Sequence, residues 1–171
     1  MAAYDLIIIG TGAGGGSLLN RVAPGGMRIL VLERGPFLPR EVENWDTRIA
    51  FHSPRYFGPE VWRDRDGGEV RAGMCYHVGG NTKLYGAALF RFRERDFEEV
   101  RHVGGMKPGW PLRYGDFEPY YAEAEELYQV HGREGLDPTE PPRSGGYPHP
   151  AISHEPRIQE VAEALAARGL H

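Results

Sequence analysis

The hydrophobic pattern of the first 33 residues predicts a strand, a helix and a second strand. Residues 4–9 and 28–33 are short runs rich in Ile, Leu and Val. Each is apolar on both faces, which is typical of strands buried in a parallel sheet. Between them, residues 17–22 continue a helix that follows a glycine-rich turn, and a proline and two glycines within residues 23–26 end it. These elements predict one βαβ unit.

The pattern changes after this unit. Residues 35–80 contain four prolines, scattered aromatic residues and only short apolar runs, which predicts loops and short segments in place of further βα repeats. Helical spacing returns at residues 116–128, which carry an aromatic and aliphatic stripe, and at residues 157–165. Six prolines between residues 132 and 156 predict an extended connection.

Charged residues refine the picture of the second half. We expect Asp96 to cap a short helix that ends at Val100, and Asp116 to cap a longer helix that ends before Gly132. Three arginines lie among glutamates, which predicts a solvated charged face and disfavours a phosphate site. These arginines are Arg91, Arg93 and Arg95.

The turn after the first strand carries a dinucleotide fingerprint. Gly10, Gly12 and Gly15 fit the pattern G-x-G-x-x-G, and Glu33 lies about 20 residues on, at the end of the second strand. Without a Cβ in the way, a diphosphate can approach the N–H groups of a helix N-terminus, where the helix dipole favours its charge. A carboxylate in the position of Glu33 can accept hydrogen bonds from ribose hydroxyls. The alternative is a structural glycine turn beside a solvated Glu33.

The composition excludes several classes of function. Because 20 Lys and Arg face 24 Asp and Glu, the net charge is −4, which argues against a nucleic-acid partner. No apolar run approaches the roughly 20 residues of a membrane helix, and no secretory signal is evident. The one cysteine, Cys75, leaves no disulfide scaffold, and the seven histidines show no metal-ligand spacing. We therefore expect a soluble, cytoplasmic protein without a metal site.

The lack of further βα repeats favours a flavin over a nicotinamide cofactor, since a nicotinamide dehydrogenase normally continues its doubly wound sheet. Residues 71–88 are then a candidate stretch to reach the flavin ring. Their small residues at 79, 80 and 86–88 permit close approach to a flat ring. Asn81, Thr82 and Lys83 offer donors where a reduced flavin develops negative charge. A tightly packed glycine turn gives the same pattern and stays an alternative.

Together these motifs resemble the glucose–methanol–choline (GMC) family of FAD-dependent oxidoreductases. The resemblance extends from about Tyr4 to the end of the chain. It is to the N-terminal portion of that family, in particular of bacterial sugar oxidases and dehydrogenases similar to pyranose oxidase. The blocks that carry it are the glycine fingerprint with Glu33-Arg34-Gly35, Val-Gly-Gly-Asn-Thr at 78–82, Gly-Trp-Pro-Leu at 109–112, and residues 116–121 with Ala124 and Glu125.

The resemblance implies non-covalent FAD. The diphosphate would contact the first glycine turn. The adenosine ribose would contact Glu33, and the adenine would lie beside Arg34. The isoalloxazine would lie near the second glycine pair. The implied residues are Gly10, Gly12, Ala13, Gly14 and Gly15 in the first turn and Val78, Gly79, Asn81 and Thr82 in the second. Some family members attach FAD through a histidine where this chain has Leu84, which has no nucleophile. The next position, often Asn in the family, is Tyr85 here.

The resemblance also implies a reaction and a domain organisation. The reaction is oxidation of CH–OH groups of sugars or other alcohols by hydride transfer to the flavin, so the partner is a small alcohol or sugar. The family places a catalytic His near its C-terminus, and the chain ends before such a region. We therefore expect an amino-terminal portion without catalytic residues of its own, inactive alone.

The expected fold class is α/β. An FAD/NAD(P)-binding Rossmann-like domain would occupy residues 1–131, truncated, and a linker with the start of a substrate-binding domain would occupy residues 132–171. Three alternatives stay open. They are a fragment of an NAD(P)-dependent dehydrogenase, a non-catalytic flavin-binding module, and a complete small protein that dimerises over the apolar face of the helix at 157–165.

Overall fold

The computed structural model describes residues 3–170, and the chain forms two compact units that divide between Ala88 and Leu89. The first unit is built on two parallel strands, β1 (Leu6–Ile9) and β2 (Ile29–Leu32), with helix α1 (Ala13–Val22) connecting them. Leu6 pairs with Ile29 and Ile9 with Leu32. The predicted βαβ unit is confirmed.

Glycines make the close packing within this unit possible. Gly10 adopts a φ of +90°, and its N–H donates to the carbonyl of Leu32 at 2.7 Å, so the chain leaves β1 while still bonded to β2. A Cβ on Gly15 would lie 2.1 Å from the carbonyl oxygen of Gly10 and 3.3 Å from the Ile8 side chain. Since Ile8 is only 5% exposed, α1 packs directly on β1 at this point.

Short elements fill the rest of the first unit, as the scattered prolines predicted. A six-residue helix, α2 (Thr47–His52), begins at Asp46, whose carboxylate accepts from the N–H of Arg48. Strands β3 (Trp62–Arg63) and β4 (Glu69–Val70) form a small antiparallel hairpin. Single 3₁₀ turns occur at Val42–Trp45, Pro54–Tyr56 and Gly80–Lys83.

The second unit contains a hairpin, two helices and a short parallel bridge. The hairpin joins β5 (Val100–His102) and β6 (Gly105–Lys107), and helix α3 (Tyr114–Tyr128) follows. Strands β7 (His131–Gly132) and β8 (His149–Pro150) pair in parallel across the proline-rich connection, and helix α4 (Pro156–Ala166) comes last. Phe97, 5% exposed, lies at the centre of an aromatic cluster with Phe117 and with Trp110, which is 49% exposed.

Two predicted helix starts are wrong. The segment around Asp96 is a 3₁₀ turn over Glu94–Phe97, and Val100 begins a strand. Helix α3 begins two residues before Asp116 and ends where Gln129 adopts a left-handed φ of 52°. In both cases the aspartate occupies the third position of the turn, and its carboxylate accepts the N–H of the residue before the turn. Each aspartate therefore caps its turn or helix from within the first turn, and not from the N-cap position.

The predicted solvated arginine face is also wrong at its first member. Arg91 is only 5% exposed, and its guanidinium donates to both carboxylate oxygens of Glu125 at 2.8 Å. Arg143, from the proline-rich connection, contacts the same carboxylate. The N–H of Ser144 donates to Glu118 at 2.9 Å, so this buried network attaches the connection to α3.

No helix among residues 3–170 is long and apolar enough to cross a bilayer. The domain boundary predicted between residues 131 and 132 falls inside the second compact unit. It stays a prediction.

Candidate cofactor site

The first loop, residues 10–15, leads from β1 into the N-terminus of α1. Gly12 is the N-cap residue and has no side chain with which to cap the helix, and the first turn contains no acidic residue. The first N–H groups of a helix have no acceptor within the helix, and they carry the positive end of its dipole. A Cβ on Gly14 would meet no atom within 4 Å, so the space beside this residue is open. The first loop can therefore accept an anion such as a diphosphate.

Glu33, at the end of β2, is held against the first loop. Its Oε2 accepts from the Thr11 N–H at 2.9 Å and from the Thr11 hydroxyl at 2.5 Å. Its Oε1 accepts from the N–H groups of Arg34 and Gly35, at 2.7 and 3.3 Å. These bonds, with that of the Thr11 hydroxyl first, lower the pKa of Glu33 from the usual 4.5 to about 2. The carboxylate is thus ionised at neutral pH.

The second loop, residues 78–82, meets the first loop directly. The N–H of Gly79 donates to the Thr11 hydroxyl oxygen at 2.8 Å. A Cβ on Gly80 would lie 3.6 Å from the Cα of Gly12. Gly79 and Gly80 have φ values of +99° and +57°, which favour glycine at both positions. The structure therefore brings together the two glycine motifs that the sequence places more than 60 residues apart.

Hydrogen bonds within the second loop hold its polar side chains. The Asn81 side-chain oxygen accepts from the N–H of Cys75 at 2.7 Å, and the Thr82 hydroxyl donates to the Gly79 carbonyl at 2.5 Å. The Lys83 side chain lies back over Gly79, where a Cβ would be 2.4 Å from its Cε. These contacts make the loop a preformed turn and use part of the hydrogen-bonding capacity of Asn81 and Thr82.

The segment after β2 contacts the start of the second loop and the residues just before it. The N–H of Val78 donates to the carbonyl of Pro36 at 3.0 Å. A Cβ on Gly35 would lie 1.7 Å from the carbonyl oxygen of Tyr76, so only glycine permits this approach of the two backbones. The Arg34 guanidinium lies 3.7 Å from the centroid of the Tyr76 ring. Glu33, Arg34 and the second loop therefore belong to one local arrangement.

One polar atom beside the second loop lacks a partner. Among residues 3–170, the Nδ1 of His77 is buried and makes no hydrogen bond. Burying a polar atom without a partner is costly, so a polar group that the chain itself does not supply would stabilise this nitrogen. The open space at Gly14 and this unpartnered nitrogen are compatible with a bound dinucleotide.

Sequence reasoning did not single out Thr11. Its hydroxyl donates to Glu33 and accepts from Gly79, so it connects the carboxylate and both loops. The sequence shows only that a residue with a hydroxyl group lies between the first two glycines of the fingerprint. Because the fingerprint allows many side chains at that position, this did not indicate a role. Its partners became visible only once the two loops were placed side by side.

The comparisons with known proteins place these features in context. The chain is 28% identical to 2-methyl-1,2-propanediol dehydrogenase of Mycolicibacterium austroafricanum over 98% of its own length and 32% of that protein. It is 29% identical to paromamine 6'-oxidase of Streptomyces fradiae over 95% of the chain and 29% of that protein. It is 27% identical to the fructose dehydrogenase large subunit of Gluconobacter japonicus over 84% of the chain and 30% of that protein. The chain thus spans about a third of the length of these curated relatives.

A solved structure gives the class of fold. The chain superimposes on an FAD-dependent oxidoreductase from Chaetomium thermophilum with a TM-score of 0.50 at 20% identity, over 84% of the chain and 26% of that structure. The fold is therefore the α/β fold found in FAD-dependent oxidoreductases. The sequence relatives are GMC-type oxidoreductases, so the resemblance to the N-terminal part of that family is confirmed. No protein-family model matches the chain.

Proposed function

We propose that the chain binds FAD at the first and second loops. We further propose that it is the flavin-binding part of an oxidoreductase that oxidises the CH–OH group of a small alcohol or sugar. The names of its relatives support this, since they include a dehydrogenase of a propanediol and a dehydrogenase of fructose. The superimposed structure is named an FAD-dependent oxidoreductase.

The observation that carries the proposal is the contact between the loops. Because the Gly79 N–H lies 2.8 Å from the Thr11 hydroxyl oxygen, a single ligand can contact both loops. We assign the diphosphate to the first loop, the adenosine ribose to Glu33, the adenine to Arg34 and the isoalloxazine to the second loop. The residues in this assignment are Gly10, Gly12, Ala13, Gly14 and Gly15 for the diphosphate and Val78, Gly79, Asn81 and Thr82 for the isoalloxazine.

In the proposed reaction, bound FAD supplies the hydride acceptor, and the chain's own residues bind and orient it. The N-terminus of α1 places backbone donors and a partial positive charge at the diphosphate. Glu33 keeps its negative charge at neutral pH because its pKa is lowered to about 2. Its longest hydrogen bond, from the N–H of Gly35 at 3.3 Å, is the one that a ribose hydroxyl would replace. Because Gly79 and Gly80 carry no side chains of their own, the backbone of this turn can come close to a flat ring.

The decisive experiment is calorimetric titration of the 171-residue chain with FAD. Gly14→Asp adds a carboxylate in the open space beside the first loop, where it repels a diphosphate. The fold should tolerate this change, because an acid in the first turn of a helix is favourable. We expect Gly14→Asp to weaken FAD binding by about tenfold or more.

The matched control is Gly25→Asp. This change also enters open space, but it lies beyond the C-terminal end of α1. We expect it to leave FAD affinity unchanged. Failure of the wild-type chain to bind FAD, or equal losses in the two variants, contradicts the proposal.

A further inference from the structure

Arg34, Tyr76 and Glu60 form a cluster of stacked and hydrogen-bonded side chains beside the end of β2. The Cζ atom of Arg34 is 3.7 Å from the centroid of the Tyr76 ring, so the guanidinium covers one face of that ring. Along its Cδ2–Cε2 edge the ring lies against Gly58, where a Cβ would be 2.3 Å from the Tyr76 Cε2. Only a residue without a side chain leaves space for the ring here. Tyr76 is therefore fixed between a glycine and an arginine.

Glu60 connects the two stacked groups. Its Oε1 accepts from the Nη2 of Arg34 at 2.9 Å. Its pKa is lowered, first by the hydrogen bond from the Tyr76 hydroxyl and further by Arg34. The carboxylate therefore remains charged and holds both partners in one geometry.

This cluster lies next to the residue assigned to the ribose. The backbone N–H of Arg34 donates to the Oε1 of Glu33 at 2.7 Å. In an adenosine the base is attached directly to the ribose, so a ribose bound at Glu33 brings its base to the neighbourhood of Arg34. The Arg34 side chain is 62% exposed although it is stacked and ion-paired.

We propose that Arg34 and Tyr76 form a purine-stacking platform, in which Tyr76 and Glu60 are positioning residues that hold the Arg34 guanidinium flat against the adenine of the bound dinucleotide. The inference rests on the proposed function and adds to it the residues that determine affinity for the adenine half. A guanidinium is planar, delocalised and weakly hydrated, and it stacks on flat π-systems. A free arginine side chain loses considerable rotamer entropy when it is fixed, and Tyr76 and Glu60 reduce that cost before the ligand arrives.

The test compares FAD with FMN, which carries the same flavin ring but lacks the adenosine half. Both are titrated calorimetrically into the 171-residue chain and its variants. We expect Tyr76→Leu to weaken FAD binding by about threefold to tenfold, because the Arg34 side chain must then be fixed when the ligand binds. FMN affinity should stay within about twofold, because FMN does not reach Arg34.

Conservative variants separate positioning from folding. Tyr76→Phe keeps the ring under Arg34 and should retain most of the FAD affinity, whereas Glu60→Gln removes the charge that holds Arg34 and should cause a smaller, FAD-specific loss. Arg34→Lys keeps the positive charge at an exposed position but removes the planar guanidinium. It should therefore weaken FAD binding as much as Tyr76→Leu does. It replaces that variant if Tyr76→Leu does not fold. Tyr120→Leu, at a 67% exposed tyrosine of α3, is the control.

Two results overturn the inference while the proposed function stands. One is unchanged FAD affinity in Tyr76→Leu and Arg34→Lys, and the other is an equal loss of FAD and FMN affinity. If the wild-type chain does not bind FAD, the proposed function itself fails and the inference fails with it.

Discussion

Thr11 shows how one side chain can organise a site made of distant segments. It donates to Glu33, 22 residues away, and accepts from Gly79, 68 residues away. A glycine in place of Thr11 would leave the Glu33 carboxylate and the Gly79 N–H without this hydroxyl as a partner. The neighbouring glycines give the backbone its shape, while Thr11 sets the distance between the two loops and the carboxylate.

The low pKa of Glu33 makes the stability of the protein depend on pH. A carboxylate whose pKa is lower in the folded state contributes stability above its unfolded pKa, and this contribution disappears as the pH falls through the folded value. For Glu33 the window extends from the usual 4.5 down to about 2. Thr11→Val removes the hydroxyl that is the first cause of the shift, so the pKa of Glu33 should move back towards 4.5.

We therefore expect Thr11→Val to lower the free energy of unfolding at pH 6 and to lower it less at pH 2.5, as measured by urea unfolding. The difference that remains at pH 2.5 is due to the lost hydrogen bond from the Gly79 N–H. Thr11→Ser keeps the hydroxyl and should behave like the wild type at both pH values. An equal difference between Thr11→Val and the wild type at pH 6 and 2.5 would show that the hydrogen bonds to Glu33 are not the cause.

At the scale of elements, the contact between α1 and β1 depends on one glycine. A Cβ on Gly15 would lie 2.1 Å from the Gly10 carbonyl oxygen, so Gly15→Ala must push α1 away from β1. Overpacking of this kind typically costs about 1–3 kcal/mol. Gly14→Ala, one position earlier in the same helix, meets no atom within 4 Å and gains about 0.5–1 kcal/mol of helix propensity.

The two adjacent alanine substitutions should therefore change the free energy of unfolding in opposite directions, as measured by chemical denaturation at neutral pH. Equal effects of the two variants would mean that α1 does not pack on β1 through Gly15.

The elements that the sequence predicted well are those whose signal is local. Strands β1 and β2 and helix α1 follow from two apolar runs, a glycine turn and a Pro-Gly stop, all within 33 residues. The burial of Arg91 has no such signal, because its partner Glu125 is 34 residues away and an alternating run of charges is typical of a solvated face. Only the fold brings the carboxylates of Glu118 and Glu125 to its guanidinium.

The start of α3 was missed for a related reason. An aspartate before an apolar stripe is a common N-cap, where it accepts from an N–H group of the first turn. An acidic side chain three positions into a helix instead reaches back to the N–H of the residue before the helix, as Asp116 does with Arg113. The residue type alone does not distinguish the two positions. In the candidate site, the glycines and Glu33 were predicted from their spacing, whereas Thr11, Tyr76 and Glu60 depend on contacts between segments that are far apart in sequence.

At the scale of the whole molecule, all residues assigned to FAD lie between Gly10 and Thr82, within the first compact unit. The second unit contributes none of them. Its buried ion pairs between Arg91, Glu125 and Arg143 stabilise a proline-rich connection, and replacing one partner of such a pair leaves an uncompensated buried charge. The proposed cofactor site and the packing of the second unit therefore depend on different sets of residues.

The chemistry of the site determines how FAD is retained. Covalent attachment requires a nucleophile next to the flavin, and Leu84 supplies none. Cys75 is 3% exposed, and burial raises the pKa of its thiol, so the reactive thiolate is disfavoured. The hydrogen bond to Glu60 raises the pKa of the Tyr76 hydroxyl, which disfavours its reactive phenolate as well.

We therefore expect trichloroacetic acid to release all of the flavin from the FAD-bound chain into the supernatant, where its absorbance equals that of the FAD loaded. Cys75→Ala should release the same amount, because the thiol takes no part in retention. A yellow precipitate, or a fluorescent band on a denaturing gel, would show a covalent bond and contradict the prediction. If Cys75→Ala then abolished that band, the buried thiol would be the point of attachment, and burial would not have suppressed its reactivity.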